Sequence, residues 1–292
     1  MSAKARYLTA AEAARILRIN PKKVYVLAAQ GEIPAARLGG KWLFSENILR
    51  DFLDGRTRRP RGMQLFDLLD SVIILQGSDD WLLDRAIEDL RPDLPVAAVA
   101  ARVGSRAGLD ALSQNRAHLA CFHLPSPVSL LDARDGTVQR IELFSREQGL
   151  LLPRSRRRQV RSLHDVVRGG LRFALRQPGS GTHALTDRLL AARGLALSDL
   201  RSLGPFHSHL ETALSVARGQ ADCGLGIRVA AELCDLEFVP LERERFWLAA
   251  PTGAMGHPHL ALFLQRLLEW LLSGRKPEAP GYTFADTGKL VA

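Results

Sequence analysis

The chain has 292 residues, a formal net charge of +9 and 46% hydrophobic residues. This composition is that of a folded globular protein and excludes wholesale disorder, and the length is enough for two domains. No apolar run reaches the ~18–20 residues of a membrane span. The first residues contain no apolar secretion-signal core. Three cysteines are too few for a disulfide framework. We therefore expect a protein of the reducing cytoplasm.

The excess positive charge is concentrated near the N-terminus. Residues 1–62 contain 13 Lys and Arg against 5 Asp and Glu, whereas residues 63–292 contain 27 against 26. A basic segment attached to a nearly neutral body is typical of proteins that bind a polyanion. Double-stranded DNA is the expected partner, and no membrane partner is expected.

The N-terminal segment is predicted to contain three short helices. Thr9 and Glu12 fit a capping box at the start of the first helix. Asn20 followed by Pro21 fits the start of the second, which Gly31 ends. Ser45 is predicted to cap a third helix, whose apolar face would comprise Ile48, Leu49, Phe52 and Leu53.

A hairpin is predicted between the second and third helices. Residues 36–38 and 41–44 have strand-like composition and are joined by Gly39-Gly40. Two short helices, a tight turn and a following hairpin together predict a helix-turn-helix with a wing, and the second helix is the candidate reader of a major groove.

The stretch YLTAAEAARILRINPKKVYVLAAQGEIPAARLGGKWLFSENILRDFL resembles the excisionase-type, MerR-like winged helix-turn-helix without a gap. The resemblance implies a DNA-binding domain over residues 1–55. Alternatively, the tyrosine of the second helix lies partly in the core and the lysines are only solvated. The residues implied to contact DNA are Pro21, Lys22, Lys23, Tyr25, Arg37 and Lys41. Residues 54–62 are rich in arginine and contain no apolar residue. A linker is predicted at residues 56–64, which is either a plain spacer or adds phosphate contacts.

From residue 65 onward, predicted strands alternate with predicted helices. Strands are expected at residues 71–75, 96–100, 119–122, 149–153, 171–175, 222–227, 238–241 and 246–250. Helices are expected at residues 80–90, 104–115, 181–193, 210–218 and 258–272. Alternating units of this kind predict parallel sheets with helices on both faces. The expected fold class is α/β, with residues 65–292 forming two lobes.

Three predicted strand-to-helix junctions carry Gly, Ser or Thr at a helix start: Gly77-Ser78, Gly104-Ser105 and Ser180-Gly181-Thr182. Free backbone N–H groups and the positive end of the helix dipole make such starts suitable for anions. Each junction alone is compatible with an ordinary helix cap. Three of them in one domain favour a shared anion-binding cleft at the carboxyl ends of the strands.

The segments LRFALRQPGSGTH, HSHLETALSVARGQADCGLGI and LEFVPLERERFWLAAP resemble the type II periplasmic-binding-protein-like domain of cytoplasmic regulators. They are most similar to the branch fused to excisionase-type helix-turn-helix modules and to molybdopterin-biosynthesis proteins. The resemblance implies molybdate, tungstate or molybdenum cofactor as the ligand. This chain has His183 where that branch often has arginine, and Leu175 where it often has asparagine, and both differences bear on ligand identity. The expected ligand-binding residues are Gly77, Ser78, Ser105, Arg176, Ser180, Gly181, Thr182, His183 and His209.

Two further groups of residues leave alternatives open. The arginines within residues 154–158 are either a solvated charge run or a cleft-edge attraction for a phosphorylated ligand or DNA. His183, His207 and His209 match no standard zinc signature, and no catalytic motif is present, so neither a side-chain metal site nor an enzyme is expected.

The sequence thus predicts a one-component transcription regulator that acts as a homodimer. The apolar residues of the helix at 258–272 are expected to lie partly in the core and partly in an interface. One alternative is a molybdate or molybdenum-cofactor carrier in which the helix-turn-helix mediates protein contacts. The other is a recombination-directionality factor, in which so large a sensor is superfluous.

Overall fold

The computed structural model describes residues 6–56, 65, 68–124, 138–156 and 159–291. The chain divides into two compact units, Met1–Pro60 and Arg61–Ala292. In the parts of the chain just given, no helix combines the length and apolar character needed to cross a bilayer.

The N-terminal unit contains three helices and a small sheet. In chain order its elements are β1 (Tyr7–Leu8), α1 (Ala10–Leu17), α2 (Pro21–Ala29), β2 (Ala36–Leu38), β3 (Lys41–Ser45) and α3 (Glu46–Arg56). The predicted capping box between Thr9 and Glu12 is confirmed, and the Asn20 side chain accepts a 2.9 Å hydrogen bond from the Lys22 N–H at the start of α2. β1 was not expected. It pairs with β3 and completes a three-stranded antiparallel sheet in the order β1-β3-β2.

The N-terminal unit has its own apolar core, in which α1 and α2 pack with β3. The predicted apolar face of α3 is only partly correct, because Leu49 is buried whereas 55% of Ile48 and 36% of Leu53 are exposed. α3 extends through Arg56, the first residue of the predicted linker, and residues 57–64 lie outside the described part of the chain. The buried members of this core are Leu8, Ala10, Ala13, Ala14, Val24, Ala28, Ile33, Phe44 and Leu49.

The C-terminal unit alternates strands and helices. Its strands are β4 (Val72–Gly77), β5 (Ala97–Ala101), β6 (Leu119–Phe122), β7 (Val138–Leu152), β8 (Arg172–Arg176), β9 (Arg201–Phe206), β10 (Cys223–Ile227), β11 (Glu237–Pro251), β12 (Tyr282–Thr283) and β13 (Leu290–Val291). Its helices are α4 (Trp81–Leu90), α5 (Ser105–Ser113), α6 (Leu163–Arg168), α7 (Gly181–Ala191), α8 (His209–Ala217), α9 (Arg228–Leu233) and α10 (Pro258–Leu272).

The ten strands in the described part of this unit belong to one curled, mixed sheet, in the order β5-β4-β6-β11-β7-β10-β8-β9 with β12 and β13 added along β7. β4, β5 and β6 are parallel and form the first lobe with α4, α5 and α10, while β8, β9 and β10 are parallel and form the second lobe with α6, α7 and α8. β7 and β11 run antiparallel to each other between the lobes. The α/β prediction is therefore confirmed, but the sheet is not wholly parallel.

The two strands predicted at residues 238–241 and 246–250 are a single 15-residue strand, β11. The prediction divided it because the intervening residues 241–245 are mostly charged and carry no apolar strand signal. Register shifts between Pro240 and Glu242 and between Phe246 and Trp247 let the strand bend while it stays paired with β7. β7 and β11 together form the connection between the lobes, and we call them the crossing strands.

Each lobe has its own hydrophobic core. α10 packs its apolar side chains into the core of the first lobe, so the expectation that these side chains also form an interface is not supported by their burial. Leu260, Phe263 and Leu267 have no exposed surface, and Trp270 is 5% exposed. A second core lies under α6 and α7 and contains Leu163, Leu185, Leu190 and the apolar side chains of β10.

Candidate functional site

The residues predicted to contact DNA are all exposed in the N-terminal unit. Pro21, Lys22 and Lys23 form the first turn of α2, and Tyr25 is 51% exposed and is not among the residues of the N-terminal core. Arg37 lies on β2 with its guanidinium carbon 5.7 Å from the centre of the Trp42 ring. A basic helix start beside a basic hairpin is an arrangement that can contact successive phosphates of a duplex.

The first two predicted anion-binding junctions meet in the first lobe. Ser78 follows β4, Ser105 begins α5, and their Oγ atoms lie 2.5 Å apart with both side chains buried. Gly77 has φ +142°, and a Cβ there would lie 2.0 Å from the carbonyl oxygen of Cys121. Gly77 is therefore required by the packing of β4 against β6, whereas the two serines form a hydroxyl pair.

The third junction lies at the start of α7 in the second lobe. The Ser180 hydroxyl donates to the Gln177 carbonyl (2.9 Å) and accepts from the His183 N–H (3.1 Å), so it acts as the helix cap. Thr182 is buried, and its hydroxyl accepts a 3.0 Å hydrogen bond from Nε2 of Gln148 on β7. Of the two hydroxyl side chains at this junction, that of Thr182 is thus the one hydrogen-bonded to a crossing strand.

The two lobes touch at these junctions. A Cβ on Gly104, at the start of α5, would lie 2.8 Å from the Gly179 carbonyl oxygen before α7. A Cβ on Gly181 would lie 2.2 Å from the imidazole of His123, which follows β6. Both glycines therefore allow backbone from one lobe to approach the other, and the cleft between the lobes is closed in this structure.

A buried arginine that the sequence analysis missed, Arg146, occupies the middle of β7. Its Nε atom donates to Glu244 on β11 (2.7 Å), and its Nη1 atom donates to the Asp80 carboxylate (2.6 Å) at the start of α4. Glu244 also binds Nδ1 of His123 at 2.7 Å, and Asp80 accepts a 2.7 Å hydrogen bond from the Tyr282 hydroxyl. The network joins the crossing strands to the first lobe.

Arg176, a predicted ligand residue, is 3% exposed at the end of β8. Its Nη1 atom lies 3.7 Å from the Asp79 carboxylate, and its Nη2 atom donates to the His207 carbonyl at 3.1 Å. The Asp79 carboxylate also accepts a 2.7 Å hydrogen bond from the backbone N–H of His209, at the start of α8. Asp79 belongs to the first lobe, so this contact is a second polar bridge between the lobes.

Four polar atoms of this region are buried and have no hydrogen-bond partner among the described residues: Nη2 of Arg146, Nη1 of Arg176, Nδ1 of His209 and Oε1 of Gln148. An unpaired buried donor usually costs about 1–3 kcal/mol, and more when it is charged. Two of the four are guanidinium N–H groups, and both guanidinium groups lie against Asp79. The closed cleft thus contains charged donors suited to a small anion.

The charges of the region are strongly coupled. Burial alone would raise the pKa of Glu244, but the charges of His123 and Arg146 outweigh burial and lower it to about 2. Burial lowers the pKa of Arg176 to about 10, partly offset by Asp79. Burial, reinforced by Arg176 and Arg146, holds the pKa of His209 well below its usual range, so its imidazole is neutral at pH 7.

The remaining predicted residues are less closely tied to the cleft. His183 is half-buried, and its backbone N–H donates a hydrogen bond to the Ser180 hydroxyl. Of the arginine run, Arg154 pairs with Asp235 and Arg156 with Asp222, while Arg157 and Arg158 lie outside the described residues. The histidines at positions 183, 207 and 209 do not form a three-ligand cluster within the described ranges.

The sequence analysis also missed Asp79, Asp80, His123, Gln148 and Glu244. Asp79 and Asp80 follow the predicted Gly77-Ser78 junction directly, and that position was an available signal. Gln148 and Glu244 lie on strands 96 residues apart, and His123 lies 121 residues from Glu244. No local pattern connects these residues, because the pairing of β11 with β7 and with β6 brings them together.

Comparisons with known proteins agree with this architecture. Residues 87–268 match a family described as PBP superfamily domain, and residues 7–57 match a helix-turn-helix domain family. The chain is 24% identical over 261 residues to the uncharacterized protein YvgK of Bacillus subtilis (strain 168), a match that covers 82% of this chain and 83% of that protein.

Two solved structures share the fold at low identity. One is the tungstate ABC transporter from Geobacter sulfurreducens, with TM-score 0.52, 15% identity, and coverage of 70% of this chain and 94% of that chain. The other is the regulatory domain of MetR, a LysR family regulator from N. meningitidis. It has a TM-score of 0.54 and 16% identity, and the match covers 73% of this chain and 98% of that chain. A helix-turn-helix domain joined to a domain of this kind is the organisation of a ligand-sensing DNA-binding regulator. Since the matched domain spans more than half of its residues, the chain belongs to the PBP superfamily, and it also carries an N-terminal helix-turn-helix domain.

Proposed function

We propose that this protein is a one-component transcription regulator that binds duplex DNA through its N-terminal unit and senses a small oxyanion between the lobes of its C-terminal unit. The observation that carries the ligand proposal is the pair of unpaired, buried guanidinium N–H groups on Arg146 and Arg176. An oxyanion bound in the part of the cleft near Asp79 would accept hydrogen bonds from both groups. This would remove the free-energy cost of leaving the two N–H groups unpaired.

The proposed ligand is molybdate or tungstate, alone or within the molybdenum cofactor. The sequence resemblance to molybdenum-linked proteins supports it, as does the shared fold with a protein described as a tungstate transporter. Asp79, Asp80 and Glu244 offset the charges of the two arginines, so in our proposal directional hydrogen bonds rather than a net positive charge hold the ligand. A tetrahedral oxyanion presents acceptors in four directions and so relies on hydrogen-bond geometry more than on excess positive charge.

Ligand entry requires the lobes to separate, because Gly104 and Gly181 pack against the opposite lobe in the closed form. The crossing strands are the hinge of this motion, as they carry the chain from one lobe to the other. A ligand that binds the closed form more tightly than the open form shifts the population toward closure. In our proposal this shift changes how two DNA-binding units of a cytoplasmic homodimer engage an operator.

Calorimetry tests the ligand proposal. Molybdate, tungstate, sulfate and phosphate are titrated into the full-length protein, into Arg176→Met and into Arg168→Met, whose arginine is exposed at the end of α6. We expect molybdate and tungstate to bind wild type and Arg168→Met, and to bind Arg176→Met at least tenfold more weakly, since a charged hydrogen bond is worth about 1.5–3 kcal/mol. Binding of a small organic acid in place of every oxyanion would contradict the ligand and leave the regulator proposal standing.

A second measurement separates the regulator from a carrier protein. Duplex binding is measured by mobility shift at several salt concentrations, with and without the oxyanion that binds. A regulator binds DNA with a steep salt dependence, and its affinity changes when ligand is added. Ligand binding without any DNA binding would favour a molybdate or cofactor carrier whose helix-turn-helix contacts proteins.

A further inference from the structure

Two histidines and an aspartate lie together at the start of α10, away from the cleft. His257 is the cap residue of α10, His259 lies in its first turn, and Asp70 ends a short 3-10 helix, Leu68–Asp70. One potential ligand atom from each of the three lies within 4.8 Å of the others. We propose that these residues form a site for a divalent transition metal of the zinc type.

The separations between these atoms fit metal ligation better than direct hydrogen bonding. Nε2 of His257 lies 3.5 Å and Nδ1 of His259 lies 3.7 Å from the same Asp70 oxygen, Oδ1. Charged N–H to carboxylate hydrogen bonds are about 2.7–2.9 Å long. Two ligands of a tetrahedral zinc, with bonds of about 2.0–2.1 Å, stand about 3.4 Å apart.

A fourth donor is already in place. The carbonyl oxygen of Leu69 accepts a 3.0 Å hydrogen bond from Nδ1 of His259, so a metal bound at this nitrogen would replace the shared proton and have the carbonyl beside it as a second oxygen donor. Leu69 itself is fully buried, which fixes this carbonyl relative to α10. Two imidazoles and oxygen donors favour zinc, cobalt or nickel over magnesium and calcium, which take mainly oxygen ligands.

The imidazole of His257 has no other polar role in the described protein. Its Nδ1 atom is buried and lacks a hydrogen-bond partner, and its Nε2 atom faces Asp70. The rings of His257 and His259 stand 5.5 Å apart, edge to face. The His257 ring is therefore placed by the backbone of α10 and by packing, and the His259 ring is placed by its hydrogen bond to Leu69, so both imidazoles are held in position before any metal binds.

The site is independent of the proposed anion cleft. Asp70 precedes β4, whereas Ser78 follows it. A six-residue strand spans about 20 Å, so the two sites lie at opposite ends of β4. A bound metal would join the 3-10 helix that precedes β4 to α10, and it would stabilise the folded state by linkage.

The test uses the full-length, untagged protein with Zn²⁺ and Co²⁺. The readouts are isothermal titration with Zn²⁺ and the visible absorption of bound Co²⁺, which is intense in tetrahedral sites. The variants are His257→Gln, His259→Gln and Asp70→Asn, and the control is His164→Gln, an exposed histidine on α6. The Asp70 side chain is 74% exposed, so Asp70→Asn leaves the fold intact even if a histidine variant does not fold.

We expect wild type and His164→Gln to bind one Zn²⁺ per chain, and each cluster variant to bind at least tenfold more weakly with loss of the Co²⁺ absorption. Far-ultraviolet circular dichroism of the same samples identifies any variant that is unfolded. The proposal is overturned if wild type binds no metal, or if Asp70→Asn and a folded histidine variant bind as wild type does.

Discussion

Arg146 and Glu244 are register partners on the crossing strands, and their side chains form a 2.7 Å ion pair in which the arginine has no exposed surface. From this pair, Arg146 reaches Asp80 in the first lobe. Gln148 donates both to Glu244 and to Thr182 in the second lobe. The ion pair is thus the point at which polar contacts from both lobes meet, on the two strands that must bend if the lobes separate.

Replacing Glu244 by glutamine is expected to destabilise the protein in a pH-dependent way. The folded-state pKa of about 2 lies below the ordinary value of 4.5. The carboxylate therefore contributes its full stabilisation above about pH 4.5 and loses it as the pH falls toward 2; the shift corresponds to about 3 kcal/mol. Urea unfolding at pH 7 and at pH 3 measures the free energy of unfolding of wild type and variant.

The Glu244→Gln variant should be less stable than wild type by about that amount at pH 7, and the difference should shrink at pH 3. Glu232→Gln, at an exposed position near the end of α9, is the matched control and should behave as wild type does. A constant difference between wild type and Glu244→Gln at the two pH values would refute the assigned ion pairing.

Substituting alanine for Gly181 is expected to hold the lobes apart. The new Cβ would lie 2.2 Å from the His123 ring, which cannot move freely because Glu244 holds its Nδ1 atom. We expect a larger radius of gyration by small-angle X-ray scattering, and ligand affinity at least tenfold weaker. Gly253→Ala, with open space around its Cβ position, should match wild type.

A double variant separates this steric effect from a general loss of fold. Replacing His123 by alanine removes the atoms that the new Cβ would meet, so Gly181→Ala combined with His123→Ala should bind ligand better than Gly181→Ala alone. If the double variant loses at least as much ligand-binding free energy as the two single variants lose together, the closure argument fails.

Replacing Lys22, Lys23 and Lys41 by alanine is expected to weaken DNA binding in a salt-dependent way. Each lost phosphate contact lowers the slope of log affinity against log salt by about 0.9, so the triple variant should lose between two and three units of slope. Mobility shifts over a range of potassium chloride concentrations measure the slope of log affinity against log salt. A variant lacking Lys276 and Lys289, which lie in the C-terminal unit, is the control, and an unchanged slope in the triple variant would exclude α2 and the hairpin as the DNA-contacting surface.

The protein is expected to be a homodimer that binds two half-sites. A single recognition helix as short as α2 reads few base pairs, and half-sites on one face of DNA lie about 34–36 Å apart. Light scattering with and without DNA gives the mass. Since most of the large apolar side chains of α10 are buried in the first lobe, substituting exposed residues of that helix, for example Arg266→Ala, should leave the mass unchanged. A monomeric mass in both conditions would remove this expectation.

The sequence predicted those parts of the fold that local chemistry specifies. The Thr9–Glu12 capping box, Pro21 at the start of α2 and the helix start at Ser180 all appear as expected, because each depends on residues no more than three positions apart. β11 was divided because its charged middle has no apolar alternation, and its continuity depends on pairing with β7.

The site was predictable only in part, for the same reason. Arg176 stood out beside a glycine-rich helix start, whereas Arg146 lies among polar and charged residues of β7, before the part of that strand that was predicted at residues 149–153. Its burial follows from Asp80 and Glu244, which are 66 and 98 residues away along the chain. A charged residue on a strand normally indicates a solvent-facing position, so the pattern around Arg146 pointed in the wrong direction.

The hydrogen bond from Tyr282 to Asp80 joins residues 202 positions apart and has a consequence for synthesis of the protein. The N-terminal unit closes its core with Leu49 and can form early on the ribosome. The surroundings of Arg146 are complete only after residue 282 has been made. An mRNA truncated before that codon would therefore yield a chain whose helix-turn-helix is intact and whose ligand cleft is incomplete. In the proposed regulator, such a chain would occupy operators without responding to the effector.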